Sequence, residues 1–187
     1  MKVGLDRRRW LASAASIAAL IGVGCSKPGN AAAPAPNGPV DIEEFDPSGK
    51  SLGVKSLPKV VKTEAEWRTQ LSPAAFDVTR KEGTERAYSG EYWDNHADGL
   101  YRCICCDTAL YDSKTKYESG TGWPSFWQPI AERNISQSTD FKLGYPRTAV
   151  SCARCDAHLG HVFDDGPQPT GKRHCMNSVA LRFVARA

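Results

Sequence analysis

The sequence predicts a compact, mainly β domain that follows two short helices and is stabilised by a bound metal ion. From Gly83 onward, short runs rich in Tyr, Trp, Val and Phe alternate with turn residues, which is typical of antiparallel strands. Before that point lie two helix-start signals, at Thr63 and Ser72. Two Cys-x-x-Cys motifs, which begin at Cys103 and Cys152, have the spacing of metal-binding turns.

The two helices are predicted from their start signals. The segment Thr63–Glu66 is a capping box, and the helix that it opens should run to about Leu71. Ser72 and Pro73 suit the N-cap and the first position of a second helix, which should end near Arg80. A single continuous helix is excluded because Pro73 has no backbone N–H to donate.

Composition and charge indicate one globular domain. The chain has 187 residues, of which 41% are hydrophobic and 24% charged. The formal net charge of +3 comes from the first few residues, because the chain after Cys25 has equal numbers of basic and acidic side chains. No basic stripe is present, so nucleic acid is not an expected partner. We assign residues 59–187 to this single domain.

The N-terminus predicts export. Residues 1–25 combine Arg7-Arg8-Arg9 with a short apolar run, which resembles a twin-arginine signal although Asp6 replaces the usual Ser or Thr. The run ends at Cys25, as at a lipoprotein processing site, which makes Cys25 the candidate for a lipid that attaches the protein to a membrane. Ordinary cleavage near residues 31–33 and an uncleaved anchor are the alternatives. We expect an exported, periplasmic protein.

Residues 26–58 are predicted to be a flexible tether. The first part is rich in Pro, Ala, Gly and Asn and has no means of packing. The second part, residues 41–58, is polar, with scattered apolar residues and no clear period, and should be extended or loosely docked. Ordered structure should therefore begin near Val60.

Four cysteines predict a metal site. Cys103 with Cys106, and Cys152 with Cys155, form two turns that each aim two thiols at one point. Four thiolates in a tetrahedron suit Zn²⁺ and close its coordination sphere, so this zinc should be structural and a zinc hydrolase is disfavoured. Two disulfides and an iron–sulfur cluster are the alternatives. Cys105 lies inside the first motif. It is expected to be either a small buried side chain or a thiol with a redox role.

Cys175 is the candidate for a reactive, nucleophilic thiol. The last strand is expected to run from Arg173 to Val184, and its period of two puts Cys175 between Arg173 and Asn177 on one face. A guanidinium beside a thiol favours the thiolate, which is the nucleophilic form. The alternative is an inert buried cysteine.

Two further groups of residues are candidates for the same site. His158 and His161 would face opposite ways on a regular strand, so both serve one site only if Gly160 permits a bend. A protonated imidazole can deliver a proton at neutral pH. The rigid loop that carries Trp123 and Phe126 suits a small apolar group, although core packing would also explain its aromatic residues.

Several motifs occur together in order. They are Ser119–Phe126, Cys152–Phe163, Asp165–Pro167 and Arg173–Ser178. Together they resemble the B class of methionine sulfoxide reductases over roughly residues 60–183. The resemblance implies two antiparallel sheets with short N-terminal helices, structural zinc on the four cysteines, and reduction of the R epimer of methionine sulfoxide in proteins.

The resemblance also implies roles for individual residues. The matching catalytic and substrate-binding positions are Cys175, His158, His161, Asn177, Arg173, Asp165, Trp123 and Phe126. The thiol would attack the sulfoxide sulfur, and the histidines and the asparagine would orient or protonate the oxygen. The arginine would stabilise the thiolate, the aspartate would assist through water, and the two aromatic residues would hold the methyl group. The cysteine would be left as a sulfenic acid, which a thiol then reduces through a disulfide.

The chain departs from the family pattern in two places. Thr121 stands where many members carry the resolving cysteine, so either Cys105 replaces that thiol or an outside, thioredoxin-like thiol reduces the sulfenic acid directly; we favour the outside thiol. His174 stands where Tyr is common. The functional alternatives are a thiol peroxidase or redox sensor, and a non-enzymatic, zinc-stabilised binding module.

Overall fold

The computed structural model describes residues 38–186. The predicted export signal, Cys25 and the start of the predicted tether lie outside the described residues. The strands are β1 (Pro39–Phe45), β2 (Ser51–Pro58), β3 (Gly99–Cys103), β4 (Ala109–Asp112), β5 (Lys116–Tyr117), β6 (Ser125–Phe126), β7 (Ile135–Asp140), β8 (Arg147–Cys152), β9 (His158–Phe163), β10 (Arg173–Met176) and β11 (Leu181–Ala185). The helices are α1 (Glu64–Gln70) and α2 (Pro73–Lys81), with short 3₁₀ turns at Ser113–Thr115, Glu132–Asn134 and Ser178–Ala180.

Both helices begin at the predicted caps. The Thr63 side chain accepts from the Glu66 backbone N–H, and the Glu66 carboxylate accepts from the Thr63 N–H, which completes the capping box. The Ser72 hydroxyl accepts from the Ala75 N–H at the start of α2, with Pro73 in the first turn. No helix in residues 38–186 is long and apolar enough to cross a membrane.

The structure has the predicted fold class. Strands β5-β6-β10-β9-β8-β7 form one antiparallel sheet, in that order, and β11-β3-β4 form a second. Aromatic side chains fill the space between them: Tyr111 of β4 stacks on Phe126 of β6 with ring centroids 4.4 Å apart, and Tyr101 of β3 meets the same ring edge-on at 5.0 Å. All three are fully buried. The mainly β prediction, with two antiparallel sheets and short helices before them, is therefore confirmed.

The tether prediction is wrong for its second half. Residues 39–58 form the antiparallel hairpin β1–β2, in which Ile42 is buried. Asn134 attaches the hairpin to the domain, because its carboxamide accepts from the Glu43 N–H at 2.9 Å and donates to the Glu43 carbonyl at 2.8 Å. The signal was present in Asp46-Pro47-Ser48-Gly49, a turn sequence in which the Asp46 carboxylate accepts from two backbone N–H groups.

The prediction of one continuous last strand is also wrong. Strand β10 ends at Met176, the chain turns through the 3₁₀ segment Ser178–Ala180, and β11 then pairs with β3 in the other sheet. Asn177 marks the break, since its side chain donates to the Leu159 carbonyl at 3.0 Å and accepts from the Glu85 N–H at 2.9 Å. The last segment therefore joins the two sheets.

Candidate active site

Cys175 lies on β10 between two strands of the larger sheet. It is paired directly with His161 of β9 on one side and with Ser125 of β6 on the other. Directly opposed residues of an antiparallel pair project from the same face, so the thiol and the imidazole share one side of the sheet. That side holds a cavity of about 120 Å³, lined by Thr84, Trp123, Arg147, Gly160, His161, Phe163, Cys175 and Asn177.

The thiol of Cys175 is not a thiolate by default. Burial raises its pKa above the usual value, and this outweighs the guanidinium of Arg173 and a hydrogen bond from Thr121, which both lower the pKa. The Thr121 hydroxyl lies 3.9 Å from the sulfur. Arg173 thus favours the thiolate, as expected, but desolvation of the buried sulfur is the larger effect.

The His161 ring is hydrogen-bonded to Asp140, an acidic residue that was not predicted from the sequence. Its Nε2 lies 2.8 Å from the Asp140 carboxylate, and the same carboxylate oxygen accepts from the Arg147 guanidinium at 2.5 Å. The other oxygen accepts from the Lys142 N–H, so hydrogen bonds from Lys142, His161 and Arg147 hold the pKa of Asp140 well below its usual value. Since an ionised carboxylate only accepts, Nε2 carries a proton and Nδ1 is the nitrogen that titrates.

Burial and the carboxylate act on His161 in opposite directions. Desolvation lowers the pKa of His161, and the hydrogen bond to Asp140 partly restores it. The imidazole is therefore largely neutral at pH 7 but has a partner for the charged form. A group of this kind accepts and returns a proton within one turnover.

His158 lies beside His161, with ring centroids 5.3 Å apart, but does not border the cavity. A bulge between β8 and β9 brings the two rings to one side of the sheet. Ser151 pairs with His158, and its neighbour Val150 pairs with Gly160, so β9 has one extra residue between these two pairs. Burial first, and then the neighbouring His161, lower the pKa of His158 to about 4, so this ring is neutral at pH 7. Within residues 38–186 its buried Nε2 has no hydrogen-bond partner.

Gly160 lies at this bulge and also permits close approach of the neighbouring strand. A Cβ at this position would lie 2.1 Å from the Cys175 carbonyl oxygen on β10. No side chain can be accommodated at that distance, so glycine lets the strand bearing both histidines pair tightly with the strand bearing the thiol.

Glu85 fixes two residues that line the cavity, Trp123 and Asn177, and sequence reasoning missed it. Its carbonyl accepts from Trp123 Nε1 at 3.1 Å, and its N–H donates to the Asn177 carboxamide. Its carboxylate accepts from the Ser178 and Val179 N–H groups at 2.7 and 3.0 Å. Because Glu85 lies in an irregular polar segment, no sequence signal marked it.

Two predicted site residues lie elsewhere than expected. Phe126 is fully buried and stacks on Tyr111 in the core, so its assignment to the substrate pocket is wrong. Phe163 of β9 borders the cavity in its place. Asp165 forms a two-hydrogen-bond pair with Arg173, at 2.9 and 2.8 Å, and the guanidinium lies over the Phe163 ring at 4.4 Å.

The four predicted cysteine ligands converge. The sulfurs of Cys103, Cys106, Cys152 and Cys155 all lie within 4.8 Å of one another. Cys103 is 3.6 Å from Cys155, and Cys106 is 3.5 Å from Cys152. The edge of a tetrahedron with zinc–sulfur bonds of about 2.3 Å is about 3.8 Å, so the donor set fits such an ion.

The two turns share one geometry. The Cys103 N–H donates to the Thr108 carbonyl and the Cys152 N–H to the Ala157 carbonyl, at 2.8 and 2.9 Å. The residue after each motif, Asp107 or Asp156, has a positive φ. The first turn lies between β3 and β4, the second between β8 and β9, so the cysteine cluster clamps the two sheets together.

Cys105 does not border the cavity. It is buried in the core beside the cysteine cluster, where Gln70 donates to its carbonyl at 2.8 Å. The hydroxyl of Thr121, not a thiol, is the group in contact with Cys175. Among the described residues, then, no second cysteine is positioned to resolve an oxidised Cys175.

The class of protein that this arrangement suits, a mainly β domain clamped by four cysteines with a separate thiol in an aromatic cavity beside an imidazole, is one that carries out thiol chemistry. The SelR domain matches residues 71–185. Peptide methionine sulfoxide reductase MsrB of Pseudomonas entomophila is 55% identical over 130 residues, which cover 70% of this chain and 99% of that protein. The chain belongs to the peptide methionine sulfoxide reductase B family.

Other relatives are longer than the matched region. Peptide methionine sulfoxide reductase B1, chloroplastic, of Arabidopsis thaliana is 55% identical over 124 residues, which cover 66% of this chain and 61% of that protein. The MsrB protein of Hahella chejuensis is 52% identical over 127 residues, which cover 68% of this chain and 91% of the relative. The match with the chloroplastic protein thus spans about three fifths of its length.

Proposed function

We propose that this protein reduces the R epimer of methionine sulfoxide in peptides and proteins back to methionine. The observation that carries the proposal is the cavity beside Cys175, in which a thiol, a hydrogen-bonded imidazole and the rings of Trp123 and Phe163 meet. A sulfoxide has a methyl group, an electrophilic sulfur and a basic oxygen. The aromatic rings suit the methyl group, the thiol the sulfur, and the imidazole the oxygen.

The mechanism begins with proton transfer, because the pKa of Cys175 is raised. The Cys175 proton leaves as its sulfur bonds to the sulfoxide sulfur, and His161 returns a proton to the oxygen. The hydroxyl group so formed then moves from the substrate sulfur to the Cys175 sulfur as the S–O bond of the substrate and the new S–S bond break, so methionine departs and Cys175 is left as a sulfenic acid. The proton lost by the thiol equals the proton gained by oxygen, so a single imidazole is sufficient.

Arg173 and Asp165 act on the thiolate rather than on the substrate. The guanidinium lowers the pKa of Cys175 against burial, and Asp165 fixes its orientation through two hydrogen bonds. Asn177 uses its carboxamide to position the chain after β10 and has one N–H left for the oxygen. His158 supports the ring of His161 as a neutral neighbour.

An outside thiol completes the cycle. The sulfenic acid condenses with that thiol, which releases water and forms a disulfide, and a second thiol releases Cys175. A thioredoxin-like protein is the proposed reductant, since Cys105 lies beside the cysteine cluster and Thr121 occupies the position next to the active sulfur. The ion proposed for the four cysteines is Zn²⁺, which stabilises the fold and takes no part in the reaction.

Export is proposed from the N-terminal sequence. We assign residues 1–25 to a twin-arginine-type signal and Cys25 to lipid attachment, which would give a membrane-anchored periplasmic protein. Replacement of Cys25 by Ser should move the protein from the membrane fraction to the soluble fraction. Unchanged partitioning would exclude the lipid.

The test of the function is an assay on the separate R and S sulfoxide epimers of one short peptide, with zinc measured on the same sample. We expect turnover of the R epimer alone and one zinc ion per chain. Turnover of hydrogen peroxide without turnover of either epimer would favour the thiol peroxidase instead.

A further inference from the structure

A row of directly paired residues crosses the larger sheet on the face that carries Cys175. Cys175 is paired with His161 on one side and with Ser125 on the other, and Ser125 is paired in turn with Tyr117 of β5. Directly opposed residues of an antiparallel pair project from the same face. Because neighbouring strands are about 4.8 Å apart, the Tyr117 backbone lies about 10 Å from that of Cys175. Tyr117 and His161 therefore flank the sulfur from opposite sides.

The catalytic cavity lies on the His161 side of the sulfur. Its lining includes Gly160, His161 and Phe163 of β9 but no residue of β5 or β6. On the other side of Cys175, Ser125 is fully buried. A sulfoxide in the cavity therefore reaches the sulfur from the β9 side, and the β5 side is shielded.

The shielded side contains one uncommitted hydroxyl, that of Tyr117. Its oxygen is buried and, within the described part of the chain, has no hydrogen-bond partner. The neighbouring hydroxyls are engaged: Ser125 Oγ lies 2.7 Å from Ser119 Oγ and 3.2 Å from the Trp123 carbonyl, and Thr121 Oγ1 lies 2.8 Å from Ser119 Oγ. A buried donor without a partner is costly, so one that persists beside a reactive group calls for a functional explanation.

The charges around Tyr117 are those of the catalytic thiol and its ion pair. Burial raises the pKa of Tyr117, the guanidinium of Arg173 lowers it, and Asp165 and Cys175 raise it. The phenol therefore keeps its proton at pH 7 and is able to donate a hydrogen bond. Arg173, which lies two positions before Cys175 on the same strand face, places a positive charge on this side of the sulfur.

We propose that the Tyr117 hydroxyl donates a hydrogen bond to the oxygen of the Cys175 sulfenic acid, an inference that rests on the proposed function above. After methionine departs, the S–OH group turns about the Cβ–Sγ bond from the cavity toward Tyr117. Displacement at sulfur is in line, so the incoming thiol and the leaving oxygen must lie on opposite sides. An oxygen held by Tyr117 leaves the cavity free for the thiol. The new S–S bond forms as the S–O bond breaks, and the hydroxide leaves as water with the proton that the thiol gives up.

The test is Tyr117→Phe, with the two half-reactions measured separately. The first is methionine formation in a single turnover without reductant, and its rate should stay within about twofold of the unmodified protein, because the cavity is unchanged. The second is reduction of the sulfenic acid by dithiothreitol, followed by trapping the remaining sulfenic acid with a cyclic 1,3-diketone. It should slow about tenfold, as the loss of one hydrogen bond to a developing charge implies. Tyr145→Phe, at a 54% exposed position, is the matched control and should change neither rate.

Each other outcome overturns the assignment. An unchanged second step would show that Tyr117 does not hold the oxygen, and equal slowing of both steps would leave it a structural residue. Denaturant unfolding of the reduced protein should be no easier in Tyr117→Phe, since the hydroxyl has no partner there; a lower midpoint would mean that it is already bonded. The second step is also measured on sulfenic acid made from the thiol with one equivalent of hydrogen peroxide. Failure to reduce any sulfoxide would then reject the proposed function and leave this measurement in place.

Discussion

The hydrogen bond between Asp140 and His161 gives a sharp prediction for Asp140→Asn. The carboxylate raises the pKa of His161 against desolvation, so its loss should lower that pKa further. The pair is largely shielded from solvent, with 13% and 10% of the two side chains exposed. A hydrogen bond to a charged partner contributes about 1.5–3 kcal/mol, which corresponds to a fall of about 1 to 2 pKa units.

The effect on activity follows from the sign of that shift. His161 takes the Cys175 proton only when it is neutral, so kcat/KM decreases as pH falls below the pKa of His161. In Asp140→Asn this acid-side decrease should begin about 1 to 2 pH units lower, and kcat/KM at pH 7 should be reduced about tenfold to a hundredfold because the imidazolium that forms during the reaction has lost its partner. Arg147, His158 and Glu82 also face the ring, and Arg147 loses its carboxylate partner in Asp140→Asn, which acts on the pKa of His161 in the same direction.

The assay is the pH dependence of kcat/KM for a methionine-R-sulfoxide peptide. Asp94→Asn is the matched control, because Asp94 forms the same kind of pair with His96, at 3.0 Å, on an exposed surface away from the cavity. It should leave the profile unchanged. An equal loss of rate at every pH in Asp140→Asn, with no displacement of the profile, would refute the proton-transfer role and leave Asp140 as a structural residue.

Three further predictions concern the thiols and the core. Cys175→Ser should abolish turnover while bound zinc and the folded state persist; measurable reduction by this variant would reject Cys175 as the nucleophile. Cys105→Ser should retain turnover with thioredoxin as sole reductant, and a collapse would make Cys105 the resolving thiol. Phe126→Ala should lower the free energy of unfolding by about 3–5 kcal/mol, because it removes a fully buried ring. Denaturant unfolding measures that loss. Near-native stability together with a raised KM would show instead that Phe126 belongs to the substrate site.

Local signals in the sequence predicted much of the fold. The capping box at Thr63–Glu66 and the Ser72-Pro73 pair are complete within a few residues, so both helix starts were readable. The hairpin over residues 39–58 was equally local, since its Asp46–Gly49 turn is an ordinary turn sequence, but the polar composition of the strands concealed it.

The cysteine cluster was predictable for a related reason. Two residues between thiols define a turn, and each turn is closed by its own backbone hydrogen bonds. When one chain contains two such turns, metal binding is the main use expected for their four thiols. The proposed nucleophile could then be selected among the remaining cysteines by its neighbours on the strand.

The sequence alone thus determined the helix starts, the four cysteines that cluster, the candidate nucleophile and the family to which the chain is similar. The tertiary structure decided what surrounds the nucleophile. Asp140 reaches His161 across 21 positions, and Glu85 reaches Asn177 across 92. Such contacts depend on which strands pair and in which register, and only the packed sheets set that register. Burial acts in the same way: it raises the pKa of Cys175 despite the adjacent Arg173, because desolvation arises from the whole fold rather than from neighbours in the chain.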